Sequence, residues 1–218
     1  MRPKFVYCYD ALCGWCYGFS EVVTQLYADY QGWYDFEVLS GGMVPVEYKN
    51  HLKDMASYIQ EEYQHVEART GVKFGEAFLN KIFKPSESDW QPTSLAPATA
   101  MVVIKELKPE QQIAGVKMIQ KMVFQQAIDL DIAESYRALT EELGLDYRLF
   151  AEHFDSFATK EKAKYEFALV KQLRVTGFPT LLLQTDERYL YLLSRGFSDY
   201  ASVTQVLNSV QAEIGQNN

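Results

Sequence analysis

Cys13 and Cys16 stand two residues apart in Cys13-Gly14-Trp15-Cys16, a spacing that lets two thiols close a small disulfide ring. A helical pattern begins at the pair. The unpaired N–H groups and positive dipole end of a helix N-terminus would therefore face a thiolate and lower its pKa. Position assigns the roles: Cys13, at the exposed end, is the expected nucleophile, and Cys16, one turn in and partly buried, the expected resolving thiol. The same spacing is half of a zinc site, which needs about two more ligands at comparable spacing. Cys8 lies inside a strand pattern, and His51, His65 and His153 are scattered without pairing, so no metal is expected. A pair of inert structural thiols is disfavoured too, because Gly14 and the loop before it open the helix start.

The elements that must position this pair can be read on either side of it. Lys4 to Tyr9 is a β-rich run stopped by Asp10, and Phe19, Val22, Val23, Leu26 and Tyr30 form one apolar helical face after the cysteines. Asp35 to Ser40 reads as a second strand closed by Gly41-Gly42, with a turn through Pro45, so the chain opens as a βαβ unit. From Val46 to Phe167 no period-2 strand is found. Met118, Ile119, Met122, Val123 and Ala127 make one helical stripe; Ile132, Tyr136, Leu139 and Leu143 make another that stops at Gly144. Pro85, Pro92 and Pro97 break this region into a loop, with a new helix starting near Ser94 or Pro97. A helix carrying Ala163, Phe167 and Val170 follows. Then come Gly177-Phe178-Pro179-Thr180, the apolar run Leu181 to Leu183, a polar turn Thr185 to Arg188, and Tyr189 to Leu193, which together predict an antiparallel hairpin. A last amphipathic helix runs from a Ser198 cap through Ile214, with a tail at 216–218 that frays.

The chain has 218 residues, 48% of them hydrophobic and 23% charged, enough apolar material for one large domain or two small ones. With 21 basic against 29 acidic residues its net charge is -8, which argues against a broad surface for nucleic acid or anionic lipid. Asp10 interrupts the N-terminal apolar run well short of a secretory signal, and no uncharged stretch approaches the roughly 18 to 20 residues of a membrane span. A cytoplasmic location is expected, where a Cys-X-X-Cys means redox or metal chemistry more often than a staple.

The order strand, Cys-X-X-Cys, helix, strand, helical insertion, helix, Gly-X-Pro, hairpin, helix resembles the DsbA-like branch of the thioredoxin superfamily. The segment Tyr9-Asp10-Ala11-Leu12-Cys13-Gly14-Trp15-Cys16-Tyr17-Gly18-Phe19 is similar to the cytosolic protein-disulfide isomerase group of that branch, near the FrnE-like proteins. The resemblance implies a thioredoxin-like α/β fold with a large all-helical insertion: residues 1–45 and 168–218 form the thioredoxin-like part and 46–167 a helical cap. It also implies that Pro179 is cis beside the disulfide and that the Phe178 backbone pairs an extended substrate. Gly14 and Trp15, in the loop between the cysteines, are candidates to face that substrate, with a packing role the alternative for Trp15. Met43 and Pro45 are weaker candidates for that groove. The implied activity is dithiol–disulfide exchange on protein or peptide substrates. It needs no cofactor beyond the redox-active disulfide and allows exchange with glutathione. Glutathione-dependent transferases and isomerases of the kappa type share the insertion but typically lack the paired cysteines, and a non-catalytic peptide-binding module could use the same groove. The Gly-Trp dipeptide leaves the redox potential open. Asp10 is the nearest candidate for proton transfer, or else a turn residue closing its strand. Cys8, in an apolar strand, reads as an inert buried thiol.

Overall fold

Every residue of Lys4–Tyr9 (β1) after the first is buried, the mark of a strand covered on both faces. Alternation sends Phe5, Tyr7 and Tyr9 into the main core, while Val6 and Cys8 pack with Leu39, Val170 and Leu182 on the opposite face. The structure, a computed structural model, describes residues 2–48, 51–85, 90–186 and 189–216. β1 is central in a four-stranded sheet ordered β2-β1-β3-β4, with β2 at Asp35–Ser40, β3 at Thr180–Gln184 and β4 at Leu190–Arg195. β2 runs parallel to β1, whereas β3 is antiparallel to both β1 and β4. Between β1 and β2 lies α1 (Gly14–Tyr30), whose Phe19, Val22, Val23 and Leu26 are buried. Among the described residues, seven helices separate β2 from β3: α2 (His51–Thr70), α3 (Glu76–Phe83), α4 (Leu95–Leu107), α5 (Gln112–Phe124), α6 (Arg137–Leu143), α7 (Tyr147–Asp155) and α8 (Phe157–Gln172). α9 (Tyr200–Gln216) closes the chain.

Several local expectations need correction. The stripe ending at Ala127 outruns α5, because Ala127 takes φ 50° and lets its own N–H and that of Ile128 turn back to the carbonyls of Val123 and Met122. That is a left-handed helix cap, here without glycine. Ile132 is 56% exposed, since it precedes a 3-10 turn at Ala133–Tyr136 and never joins α6. Tyr136, Leu139 and Leu143 are buried, and Gly144, at φ 65°, ends that helix. The cap of α9 is Asp199, whose carboxylate accepts the Ser202 N–H at 2.8 Å, one residue past the expected Ser198. The second hairpin strand is β4 at 190–195, displaced from the expected 189–193. The expected junction at 167/168 falls inside the continuous helix α8, whose Val170 packs on the sheet. Part of the proline loop (86–89), residues 187 and 188 of the turn and residues 217 and 218 of the tail lie outside the described residues.

β2 is an edge strand, and helix side chains satisfy its outward backbone groups. Gln112 accepts from Val38 N–H and donates to the Phe36 carbonyl, both at 2.8 Å. Lys105 donates to the Val38 carbonyl at 2.7 Å, and Glu166 accepts from Ser40 N–H at 3.0 Å while pairing with Lys105. The edge is thereby closed to a further strand, and α4, α5 and α8 are fastened to the sheet. Gln112→Leu leaves one buried donor and one buried acceptor unpaired, and it is expected to lower unfolding stability by about 1–3 kcal/mol for each group, read from urea denaturation.

Candidate active site

β1 ends where β3 begins, because the antiparallel register pairs Cys8 with Thr180. The loop after β1 and the loop before β3 therefore meet at one end of the sheet, the first carrying Cys13 and the second Phe178 and Pro179. Cys13 is the N-cap of α1: it is extended (φ -89°, ψ 111°), and its Sγ accepts the Cys16 N–H at 3.2 Å. A capping side chain normally satisfies one of the four free N–H groups of a helix start, and here a sulfur does so. The Cys13 thiol also donates to the Phe178 carbonyl at 3.6 Å, and the Phe178–Pro179 peptide bond is cis.

Both thiols are free, Cys13 7% exposed and Cys16 fully buried. Cys13 is thus the member that solvent reaches, but it is more enclosed than an exposed helix end implies, with Phe178 lying against its sulfur. Burial pushes the Cys16 thiol well above its ordinary pKa; its hydrogen bond to Cys13 and the charge of Cys13 push it further, while a backbone bond from Asp10 works the other way. Cys16 therefore holds its proton. Cys8 lies on the opposite face of the sheet, its pKa raised to about 12 by burial and the charge of Glu166.

Asp10 closes β1 and does more than a turn requires. One carboxylate oxygen accepts from Leu12 N–H and the Ser94 hydroxyl, each at 3.0 Å, and the other from Met43 N–H at 2.7 Å. The cysteine loop, the segment after β2 and the start of α4 are thus joined at one buried carboxyl. Burial raises its pKa, against the lowering effect of hydrogen bonds from Met43, Leu12, Ser94 and Gly42. Met43 enters this arrangement through its backbone, and both its side chain and Pro45 are exposed.

Glycines fit the loops together. A Cβ at Gly14 would sit 3.4 Å from the Phe74 ring, and one at Gly41 would overlap the ring of Phe178. The glycine pair after β2 therefore closes a strand and also seats the residue that faces Cys13. Trp15 packs beside Phe197, ring centroids 6.4 Å apart, and separates two cavities. One, of ≈ 80 Å³, is lined by Gly14, Tyr63, Phe74 and Phe124 among others; the second is an open groove of ≈ 610 Å³ running along Phe178, Phe197, Arg69 and Arg195. No sequence pattern singles out Phe197, Arg69 or Arg195, because only the pairing of β3 with β4 and the path of α2 bring them to the cysteines.

Residues 6–206 match the model of the DSBA-like thioredoxin domain. The chain belongs to that family. Among solved structures, a candidate protein disulfide isomerase from Nitrosomonas europaea is similar to this DSBA-like protein, with TM-score 0.83 and 21% identity, covering 98% of this chain and 99% of that one. The cytosolic disulfide reductase DsbM from Pseudomonas aeruginosa has TM-score 0.76 and 24% identity, covering 96% and 99%, and has also been solved with GSH. A 2-hydroxychromene-2-carboxylate isomerase is more distant, with TM-score 0.61 and 16% identity, covering 98% and 97%. At these identities the likenesses establish the fold. A comparison with curated proteins found no match. No helix among the described residues of this DSBA-like protein is long and apolar enough to cross a membrane.

Proposed function

We propose that this DSBA-like protein is a cytoplasmic thiol–disulfide oxidoreductase that reduces or isomerises protein or peptide disulfides through Cys13 and Cys16. The observation that carries the reading is the placement of the Cys13 sulfur: it caps α1, accepts the Cys16 N–H and lies 3.6 Å from the Phe178 carbonyl. The Cys13 thiolate attacks one sulfur of a substrate disulfide, forming a mixed disulfide and expelling the other substrate sulfur as a thiolate. Cys16 then loses its proton and attacks the Cys13 sulfur, which forms the Cys13–Cys16 disulfide and releases the second substrate thiol. Two electrons pass from the dithiol to the substrate. In an isomerase cycle the thiolate expelled in the first step attacks another disulfide of the substrate, and the thiolate this frees attacks the substrate sulfur of the mixed disulfide, so that Cys13 leaves as a thiolate and no electrons are transferred net.

The backbone of Phe178 beside Pro179 receives the extended substrate, flanked by Gly14 and Trp15. Asp10 acts by positioning, since the bonds to its two oxygens come from Leu12, Ser94 and Met43. Two molecules of glutathione would return the disulfide to the dithiol, yielding glutathione disulfide, a reading supported by the GSH-bound relative. A reducing glutathione pool favours reduction or isomerisation over net oxidation.

Equilibration of the Cys13–Cys16 pair against glutathione tests the reading. A Cys13–Cys16 disulfide with a potential near the roughly -270 mV of thioredoxin is expected. A value near the roughly -120 mV of DsbA would reverse the assigned direction. A pair that forms no disulfide would remove the redox reading altogether and leave a binding module.

A further inference from the structure

The ≈ 610 Å³ groove beside Cys13 has an apolar floor and a cationic rim in a chain whose net charge is -8. Trp15, Phe178 and Phe197 form the floor, and Arg69 and Arg195 stand at the rim. The two guanidinium groups come from separate elements. Arg69 lies in the last turn of α2, while Arg195 ends β4 opposite Thr180, where Gly196 N–H donates to the Pro179 carbonyl at 2.7 Å. Among the described residues neither makes an ion pair or a side-chain hydrogen bond. The nearby acids are accounted for. Glu62 faces His65 at 3.4 Å, and Asp199, held low first by its bonds to Ser202 and only last by the charge of Arg69, is occupied in capping α9.

Two exposed cations without an ion-pair partner near a reactive sulfur favour anionic groups on whatever approaches it, and the apolar walls between them strengthen that field. We infer that Arg69 and Arg195 set substrate specificity, so that the groove takes peptide segments carrying carboxylates next to the cysteine to be exchanged. This inference rests on the oxidoreductase reading and deepens it. The guanidiniums bind the substrate's carboxylates by planar paired hydrogen bonds, the apolar part of the segment lies on Trp15 and Phe197, and the substrate sulfur reaches Cys13 past Phe178.

The experiment compares three short peptide disulfides, identical except for aspartates, serines or lysines flanking the cysteine, as substrates of the full-length protein. At low ionic strength kcat/KM for the acidic peptide is expected to exceed that for the basic one by about tenfold, with the ratio shrinking as salt rises. The double variant Arg69→Gln/Arg195→Gln should bring the ratio close to one, and Arg195→Glu should invert it, with a thermal melt on each variant establishing that it is folded. Equal rates for the three peptides, or a ratio unchanged in the folded double variant, overturn the inference. Reduction of hydroxyethyl disulfide by the unaltered protein separates the two readings. Its absence defeats the oxidoreductase assignment itself, whereas its presence alongside charge-blind peptide kinetics defeats only the role of the arginines.

Discussion

Cys13→Ser is expected to reduce disulfide exchange to the uncatalysed level, whereas Cys16→Ser should trap substrates as mixed disulfides. In Cys13→Ser the introduced hydroxyl would still accept the Cys16 N–H at the helix start, so α1 keeps its cap and the fold is retained. What is lost is the cysteine sulfur that solvent reaches, and a serine with no general base beside it does not attack a disulfide. In Cys16→Ser the first attack still proceeds, but nothing inside the protein resolves its product. Non-reducing gels should then show a mass shift that dithiothreitol reverses. No such adduct should form in Cys13→Ser; an adduct there would mean that Cys16 or Cys8 attacks directly.

The same pair predicts a pH dependence. Two of the influences that hold the Cys16 proton, the hydrogen bond and the charge, come from Cys13, and both disappear once Cys13 is engaged in a mixed disulfide. Burial remains. Resolution is therefore easier in the intermediate than the resting dithiol implies, yet it still depends on deprotonating a buried thiol. Single-turnover release of product should accelerate by about tenfold per pH unit below the Cys16 pKa, and a flat profile between about pH 6 and 9 would show that another step limits release.

Much of this arrangement is written locally. The β1 and β2 bounds, the apolar face of α1 and the helical run between β2 and β3 follow from period and turn residues, and the structure places them where those patterns do. The parts that are not legible depend on partners distant in sequence. Gln112 looks like any polar helix residue until β2 lies beside it, with Phe36 and Val38 needing one donor and one acceptor. Gly41 reads as a turn, while its requirement comes from the Phe178 ring, which arrives from the other end of the chain. The enclosure of Cys13 likewise depends on Phe178, which reaches its sulfur from the other end of the chain, and no pattern near Cys13 encodes it. Asp10 is intermediate. Its role in ending β1 is visible, but its bonds to Ser94 and Met43 are tertiary.

Asp10→Asn is expected to destabilise the protein by about 2–4 kcal/mol at neutral pH, despite the nearly equal size of the side chains. The carboxylate is surrounded by donors: Leu12 N–H and the Ser94 hydroxyl on one oxygen, Met43 N–H on the other. An asparagine amide has one oxygen and one NH2, so either orientation sets a donor against a donor in a buried space. Facing Met43, the NH2 meets its N–H. Turned the other way, it meets Leu12, and Ser94 gives little relief because its oxygen already accepts Val44 N–H at 2.9 Å. The size of the deficit should also vary with pH. Burial holds the folded pKa of Asp10 above its ordinary value of about 3.9, so between those two values the folded protein binds more protons than the unfolded chain. This contribution to stability is complete below about pH 3.9 and is lost as pH rises through the folded pKa, with a slope of at most about 1.4 kcal/mol per unit. Asparagine has no such slope, so the gap between the two proteins should be widest near about pH 4 and narrower at neutral pH. Urea unfolding of both proteins across that range measures it; a gap that widens with pH would mean that the ionised carboxylate is the better held form. Because the same carboxyl ties the cysteine loop to Met43 and Ser94, the variant should also lose exchange rate where it remains folded, through a displaced Cys13 and not through a missing proton.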